Sequence, residues 1–129
     1  MKDKRTIKVI FTLVLLVAIC FIVFGARKEY TTDIMIRNNS NESIKNLIVC
    51  SNDGEDYKIE CIEPHAAITF KYSLGNFNEN ALNMRHVINA DRTEKYNILG
   101  YIDQPYEWIS IDIDSVDVYS NLSVRVETP

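Results

Sequence analysis

Glycine, proline, cysteine and histidine are scarce in this chain, whose 129 residues contain four, three, three and two of them. Three cysteines exclude a disulfide-dense scaffold, and a balance of 47% apolar and 25% charged residues excludes a wholly disordered chain. The four glycines never lie close together in sequence, so the glycine-rich loop that holds phosphate groups is missing. Nucleotide binding is therefore disfavoured, and the length fits one domain.

The two histidines, His65 and His86, offer little for catalysis. A serine or cysteine nucleophile needs a neighbouring histidine that a carboxylate orients, and no Gly-x-Ser-x-Gly elbow surrounds any serine. A zinc site needs several His or Cys ligands at matching spacing. We expect a solvated His65, a partly buried His86, no cofactor and no enzymatic activity. A hydrolase built around one histidine is the enzymatic alternative.

Residues 9–26 form an uncharged run of Val, Ile, Leu, Phe and similar residues. As a helix these 18 residues would span roughly 27 Å, close to the bilayer core of about 30 Å. Four basic residues precede the run and two follow it, so the positive-inside rule places the N-terminus in the cytoplasm. We predict a single-pass cell-membrane protein with its C-terminal domain outside.

Four segments follow from this prediction. They are a basic cytoplasmic start (1–8), a transmembrane helix or uncleaved signal anchor (9–26), a short linker (27–31) and an extracytoplasmic domain (32–129). The alternative is a secreted envelope or structural protein whose signal peptide is cleaved after Gly25 or Ala26. Bulky Phe24 disfavours that cleavage site, because signal peptidase prefers small residues there.

The chain beyond the linker alternates apolar and polar residues in short runs separated by Asn, Asp, Gly and Pro. This pattern predicts β-strands rather than helices. Eight strands are expected at 32–38, 43–50, 57–62, 66–73, 81–88, 94–102, 108–114 and 121–127. Short strands at this spacing favour an all-β fold, an immunoglobulin-like Greek-key antiparallel β-sandwich of seven or eight strands.

One run shows the alternation best. In residues 109–114 three isoleucines share one strand face, and Ser110, Asp112 and Asp114 share the other. We expect the isoleucine face to be buried and the acidic face to be solvated.

Ile34-x-Ile36-x-Asn38-x-Ser40 is followed by Ile44-x-Asn46-Leu47, Ile62-x-Pro64 and Gly100-Tyr101-Ile102. This pattern resembles that of small exported or membrane-anchored β-sandwich proteins of low-GC Gram-positive bacteria, for which no activity is known. The resemblance covers most of residues 30–127. Its positions are turn and core residues, so it implies a fold and an exported location but no chemistry.

The region from residue 30 onward carries 8 basic and 16 acidic residues, which argues against nucleic acid or anionic lipid as a partner. Within it, Asp112, Asp114 and Asp117 are spaced closely enough to be considered as ligands of a calcium ion. An EF-hand is excluded, because Val116 and Asp117 stand where a ligand and a glycine are required. We expect no metal; a calcium site of another type is the alternative to a solvated acidic face.

Cys50 and Cys61 lie in the region predicted to be outside, where a disulfide is permitted. A hairpin turn near Gly54 would place Lys58 opposite Cys50, so Cys61 would fall about three residues too far along the strand. Two thiols are therefore the preferred expectation, with a Cys50–Cys61 disulfide as the alternative.

Tyr101, Tyr106 and Trp108 surround a proline turn, and Asp112 and Asp114 follow on the next strand. Amphipathic aromatic residues are enriched in interfaces, so these five residues are the candidate interaction surface. The bilayer is one expected partner, through residues 9–26, and another membrane or envelope protein is a second. We predict a non-catalytic binding or accessory protein whose small-molecule ligand, if any, is unspecified.

Overall fold

The computed structural model describes residues 3–25, 30–52, 54–75 and 80–129. An apolar helix, α1, occupies Lys4–Gly25, and its described side chains are exposed along its whole length. Lys4–Val23 is long and apolar enough to cross a membrane, a property that anchors and export signals share. The helix begins before the predicted residue 9. Ala26 and most of the predicted linker, residues 27–29, lie outside the described residues.

Eight strands follow the helix, as predicted, and every strand boundary lies within two residues of its predicted position. Their bounds are β1 Thr31–Asn38, β2 Ile44–Ser51, β3 Tyr57–Ile62, β4 Ala67–Ser73, β5 Asn80–Asn89, β6 Arg92–Ile102, β7 Trp108–Val116 and β8 Leu122–Glu127. The protein is therefore mostly β, with one N-terminal apolar helix. The predicted turn at residues 75–78 lies outside the described residues except for Gly75.

The strands form two four-stranded sheets. Sheet A has the order β4-β1-β7-β8 and sheet B the order β3-β2-β5-β6. Five strand pairs are antiparallel, but β1 and β7 are parallel, with Asp33 opposite Trp108 and Asn38 opposite Ile113. The prediction of a purely antiparallel arrangement is therefore wrong for this pair. The cause is the connection from β6, which enters sheet A at the same end where β1 begins.

The buried side chains of both sheets form one hydrophobic core. The predicted isoleucine face of β7 is confirmed, because Ile109, Ile111 and Ile113 are fully buried. Leu122 is buried on β8, while Val124 and Val126 are partly buried and pack against the core. Sheet B contributes Leu47, Val49, Leu82 and Met84, among others.

We call the end of the two-sheet domain at which the chain enters β1 from α1 the helix-side end, and the opposite end the far end. At the helix-side end, β1, β3, β5 and β7 begin and β2, β4, β6 and β8 end, because every strand pair is antiparallel except β1 with β7. The far end holds the opposite termini. Hydrogen bonds tie the helix-side end together: Leu74 N donates to Tyr30 O (3.1 Å), and Asn52 N donates to Asn80 Oδ1 (3.0 Å). Asn80 Nδ2 also donates to Leu74 O, which links the two contacts.

Candidate functional site

The fold divides the predicted surface of three aromatic residues and two aspartates. Tyr101 and Trp108 are exposed at the helix-side end, where β6 ends and β7 begins. Tyr106, in the connecting loop, is partly buried and packs against the core. Asp112 and Asp114 lie farther along β7, toward the far end. The five residues therefore do not form one continuous patch.

The prediction of a solvated acidic face is wrong for Asp112. Arg37 on β1 and Arg125 on β8 lie directly opposite Asp112, one on each side. Arg37 Nη1 is 3.4 Å from Asp112 Oδ1, and Arg125 Nη2 is 3.3 Å from Asp112 Oδ2. The Asp112 side chain is only 4% exposed, so these two cations offset the cost of burying its charge.

Asp114 and Asp117 also have partners within the protein. Asp114 Oδ1 accepts hydrogen bonds from Asn39 Nδ2 (3.2 Å) and Arg125 Nη2 (3.4 Å), and these bonds lower the pKa of Asp114, with Arg125 as the larger cause. Asp117 accepts hydrogen bonds within its own turn. In the part of the chain that the structure describes, no group of three His, Cys, Asp or Glu side chains is placed to hold a metal ion.

Cys50 and Cys61 are free thiols, so the alternative of a disulfide is wrong for this structure. Cys61 lies opposite Lys45, five residues from Cys50 along β2, which is about 16 Å. That distance far exceeds the limit of about 7 Å between Cα atoms for a disulfide. The separation is larger than expected because Lys58 pairs with Ile48 rather than with Cys50.

Cys61 is not an activated nucleophile. Its Sγ donates to Glu63 Oε1 (3.3 Å), and Ser43 Oγ donates to Glu63 Oε2 (2.8 Å). Desolvation by neighbouring atoms, followed by the bond to Glu63, raises the pKa of Cys61 above its ordinary value. A raised pKa keeps the thiol protonated and unreactive at neutral pH.

The far-end turn, residues 117–121, joins β7 to β8 through a dense set of hydrogen bonds. Asp117 Oδ1 accepts from the backbone N–H groups of Tyr119 (2.8 Å) and Asn121 (2.9 Å), and Asp117 O accepts from Ser120 N (3.0 Å). Asp117 N donates to Asn121 O (3.0 Å). The backbone bonds of the aspartate lower its pKa and hold the turn in one conformation.

Arg92 connects this turn to sheet B through hydrogen bonds. Its Nη1 donates to Tyr119 O (2.6 Å), and its Nη2 donates to Asn121 Oδ1 (2.8 Å). Its Nε donates to Glu94 Oε1 (2.9 Å), which fixes the guanidinium plane. The turn is thus bonded both internally and to the neighbouring β6.

The far-end turn presents two large apolar side chains to solvent. Val118 is 93% exposed and Tyr119 is 69% exposed. Exposed apolar residues are ordinary when isolated, but an adjacent pair on a rigid turn is a ready contact surface. We call this pair the far-end tip.

A cleft of about 220 Å³ lies beside the far-end tip, between the two sheets. His86, on the inward face of β5, lines it together with Ser120 and Lys45. His86 is buried, more fully than the partial burial that was predicted, and among the described residues its Nδ1 has no hydrogen-bond partner. Burial lowers the pKa of His86, while backbone groups of Ser120 and Lys45 act in the opposite direction.

His65 is exposed in the turn between β3 and β4, as predicted. Its Nε2 lies 2.9 Å from Asn41 Oδ1, and its backbone adopts a positive φ of 59°. Within the described ranges, neither histidine forms a hydrogen bond with a serine or cysteine side chain. The histidines therefore do not assemble a nucleophile and base in this structure.

Sequence reasoning missed the far-end tip. Its signal was present, because Val118 and Tyr119 stand between two predicted strands, at positions where turns are usually polar. Asp117 precedes this pair, and Ser120 and Asn121 follow it. This order fits a turn in which the aspartate side chain accepts hydrogen bonds from the backbone N–H groups that follow it. The exposure of the pair depends on the tertiary fold and is not visible in the sequence.

Comparison with known proteins finds a likeness in fold alone. No protein family and no curated protein sequence matches the chain significantly. The chain is similar to the NMR structure of a protein from Eubacterium rectale, with a TM-score of 0.55 and 17% sequence identity. The match covers 80% of this chain and 94% of that protein. The likeness shows that a protein of a bacterium has a related arrangement of strands.

Proposed function

We propose that the chain is a single-pass membrane protein whose two-sheet domain lies outside the cell and binds another membrane or envelope protein without catalysis. Exposure of α1 on all sides supports the anchor, because an apolar helix that is not buried against any of the described residues needs an apolar surrounding. The basic residues before the helix and the acidic remainder of the chain support a cytoplasmic N-terminus.

We also propose an immunoglobulin-like Greek-key topology for the domain. The order β3-β2-β5-β6 corresponds to strands C′-C-F-G of that fold, and the adjacent β4 and β1 correspond to E and B. β7 takes the place of strand A beside β1, although it comes from the other end of the chain and runs parallel to β1. Such a domain is a general scaffold, so its function depends on particular surfaces.

The far-end tip is the observation that carries the binding function. Binding energy concentrates in a few aromatic and apolar anchors, and a rigid loop loses little conformational entropy when it binds. Tyr119 supplies an amphipathic ring, and Asp117 and Arg92 hold the turn in place. The tip lies at the end of the domain opposite the chain's entry from α1, where a neighbouring protein can reach it.

Site-specific photo-crosslinking in cells tests the binding proposal. A photoreactive phenylalanine analogue replaces Tyr119 in the full chain, and the matched control carries the analogue at Lys95, which is exposed on β6. We expect a discrete adduct with one envelope protein at position 119 and none at position 95. Val118→Ser in the same chain should weaken that adduct. Equal labelling at both positions, or no adduct at position 119, would contradict the proposal.

Cell fractionation with intact-mass analysis tests the anchor. Full-length mass in the membrane fraction, with the domain removed by protease added outside, is the expected result. The alternative function is a secreted envelope protein, favoured by the small residues Gly25 and Ala26 at the end of the apolar run. A soluble product lacking about the first 25 residues would establish that alternative.

A further inference from the structure

We infer that the exposed aromatic side chains at the helix-side end, Tyr30, Tyr101 and Trp108, contact the lipid headgroup region of the membrane that holds α1. We call these three residues the aromatic collar. This inference rests on the proposed anchor and adds a second interaction surface to the domain. It concerns the orientation of the domain relative to the bilayer, which the anchor alone does not determine.

The position of the aromatic collar is the first argument. Tyr30 directly precedes β1, and its carbonyl is bonded to Leu74 N at the end of β4. Trp108 opens β7 opposite Asp33, and Tyr101 lies one residue before Ile102, which pairs with Asn80 at the start of β5. All three therefore belong to the end through which the chain enters the domain from α1.

The length of chain between helix and domain is the second argument. Five residues separate Gly25 from Thr31, so six Cα–Cα steps join them, and even fully extended these reach at most about 22 Å. Each interfacial layer of a bilayer is roughly 5 to 8 Å thick. If α1 spans the membrane, the linker therefore lets the helix-side end reach the headgroups and keeps it near them even when the linker is extended.

The chemistry of the exposed side chains is the third argument. Tyr101 is 62% exposed and Trp108 is 40% exposed, although both carry rings that a soluble domain usually buries. Trp and Tyr have an apolar body and a polar tip, and they are enriched where membrane proteins cross the boundary between lipid and water. This environment suits both parts of each ring.

Charge decides which lipid surface fits. Asp103 and Glu107, which lie between Tyr101 and Trp108 in sequence, are exposed and acidic, so this loop would not be attracted to an anionic surface. The collar therefore recognises the polarity gradient of the interface rather than lipid charge. A zwitterionic phosphatidylcholine bilayer is the matching probe.

Trp108 is the only tryptophan in the chain, so its fluorescence reports on the collar alone. The full chain is reconstituted into phosphatidylcholine vesicles that carry a nitroxide quencher either near the headgroups or deep in the acyl chains. Co-flotation of protein with vesicles tests the anchor independently. We expect Trp108 emission to be lost with the shallow quencher and largely retained with the deep one.

A double variant, Trp108→Phe with Tyr119→Trp, moves the only tryptophan to the far end. The nine residues of β7 separate the two positions by roughly 26 Å, so its emission should resist both quenchers. A second double variant, Trp108→Phe with Tyr101→Trp, stays within the collar and should be quenched like the natural chain. Circular dichroism confirms that each variant is folded.

The outcomes separate the two proposals. Failure to float with vesicles would overturn the anchor and, with it, the collar contact. Flotation without quenching of Trp108 would overturn the collar contact and leave the anchor intact. Quenching at position 119 instead of 108 would make the far-end tip the lipid contact, which overturns the inference and the proposed role of the tip together.

Discussion

Arg125 and Asp112 form an ion pair whose two members lie in unequal surroundings. Their closest nitrogen and oxygen atoms are 3.3 Å apart, yet the aspartate side chain is 4% exposed and the arginine side chain 53% exposed. Arg37 covers the aspartate from the other side. Asp112 lies on the outer face of sheet A. The two arginine side chains cover it and also offset its charge.

Removal of both arginines should destabilise the domain, because it leaves the buried Asp112 carboxylate without a neighbouring cation. In the variant Arg37→Met with Arg125→Met, the buried Asp112 side chain loses both cations. We expect the free energy of unfolding to fall by about 2 kcal/mol or more, since an unpaired buried charge is costly. Urea denaturation of the full chain in detergent measures it. Asp112→Asn in the same background should restore part of the loss; no restoration would show that lost arginine packing is responsible.

Asn38 should be among the least replaceable polar residues. It is fully buried, its Nδ2 donates to the carbonyls of Glu42 (2.7 Å), Ile62 (3.0 Å) and Glu63 (3.2 Å), and its Oδ1 accepts from Ser40 N (3.0 Å) and Oγ (2.7 Å). Asn38→Ala removes all of these bonds, although Glu42 O still accepts from Ser40 Oγ (3.1 Å) and Glu63 O from Ala66 N (3.1 Å), and it should cost about 2 to 4 kcal/mol.

Thermal denaturation of the full chain measures the effect of Asn38→Ala. The matched control is Asn97→Ala, which removes an exposed amide whose hydrogen bond to Asn83 Oδ1 is long (3.4 Å). It should change stability by less than about 0.5 kcal/mol. Equal losses in the two variants would contradict the special role of Asn38.

His86 should make the stability of the domain depend on pH near neutrality. Burial lowers its pKa in the folded state, so protonation favours the unfolded state, where the ordinary value is about 6.5. The free energy of unfolding is therefore fully retained above pH 6.5 and falls as the pH drops toward the folded-state pKa. Asp114 and Asp117 have lowered pKa values and lose their contributions only at lower pH, below about 4.

Denaturation at a series of pH values checks this window. His86→Leu should abolish the decrease in stability between pH 7 and 5. The control His65→Asn changes the other histidine to a residue that tolerates its positive φ, and it should leave the decrease in place. A decrease that survives His86→Leu would assign the titration to another group.

Alkylation should label every cysteine without prior reduction. Cys50 and Cys61 lie too far apart in the β2–β3 register to be joined, and Cys20 lies in α1. Denatured, unreduced protein treated with iodoacetamide should gain three labels by intact mass, as does a reduced sample. A product with one label would demonstrate a disulfide.

Local patterns in the sequence predicted the strands well. The alternation of Ile34 with Ile36, and of Ile109 with Ile111 and Ile113, depends on neighbouring residues alone, so it gives both the strand and its buried face. The eight strands and the two-sheet arrangement follow from such runs and from the polar residues between them.

Contacts between residues that are distant in the sequence could not be predicted from it. Asp112 has the spacing of a solvated residue, and its burial depends on Arg37 and Arg125, which belong to separate strands. The parallel pairing of β1 with β7 and the exposure of Val118 and Tyr119 depend in the same way on how the strands are ordered. A hairpin register shifted by two residues separated Cys50 from Cys61 further than expected.

The parallel pairing of β1 with β7 also bears on when the protein can complete its folding. β1 is the first strand to follow the helix, but its partner begins at Trp108, more than seventy residues later. Contacts between such distant segments form slowly, because a long loop must close before they contribute stability. A chain that emerges N-terminus first would hold β1 with an open edge until about the last sixth of the sequence arrives, and in that interval the edge is available to other strands.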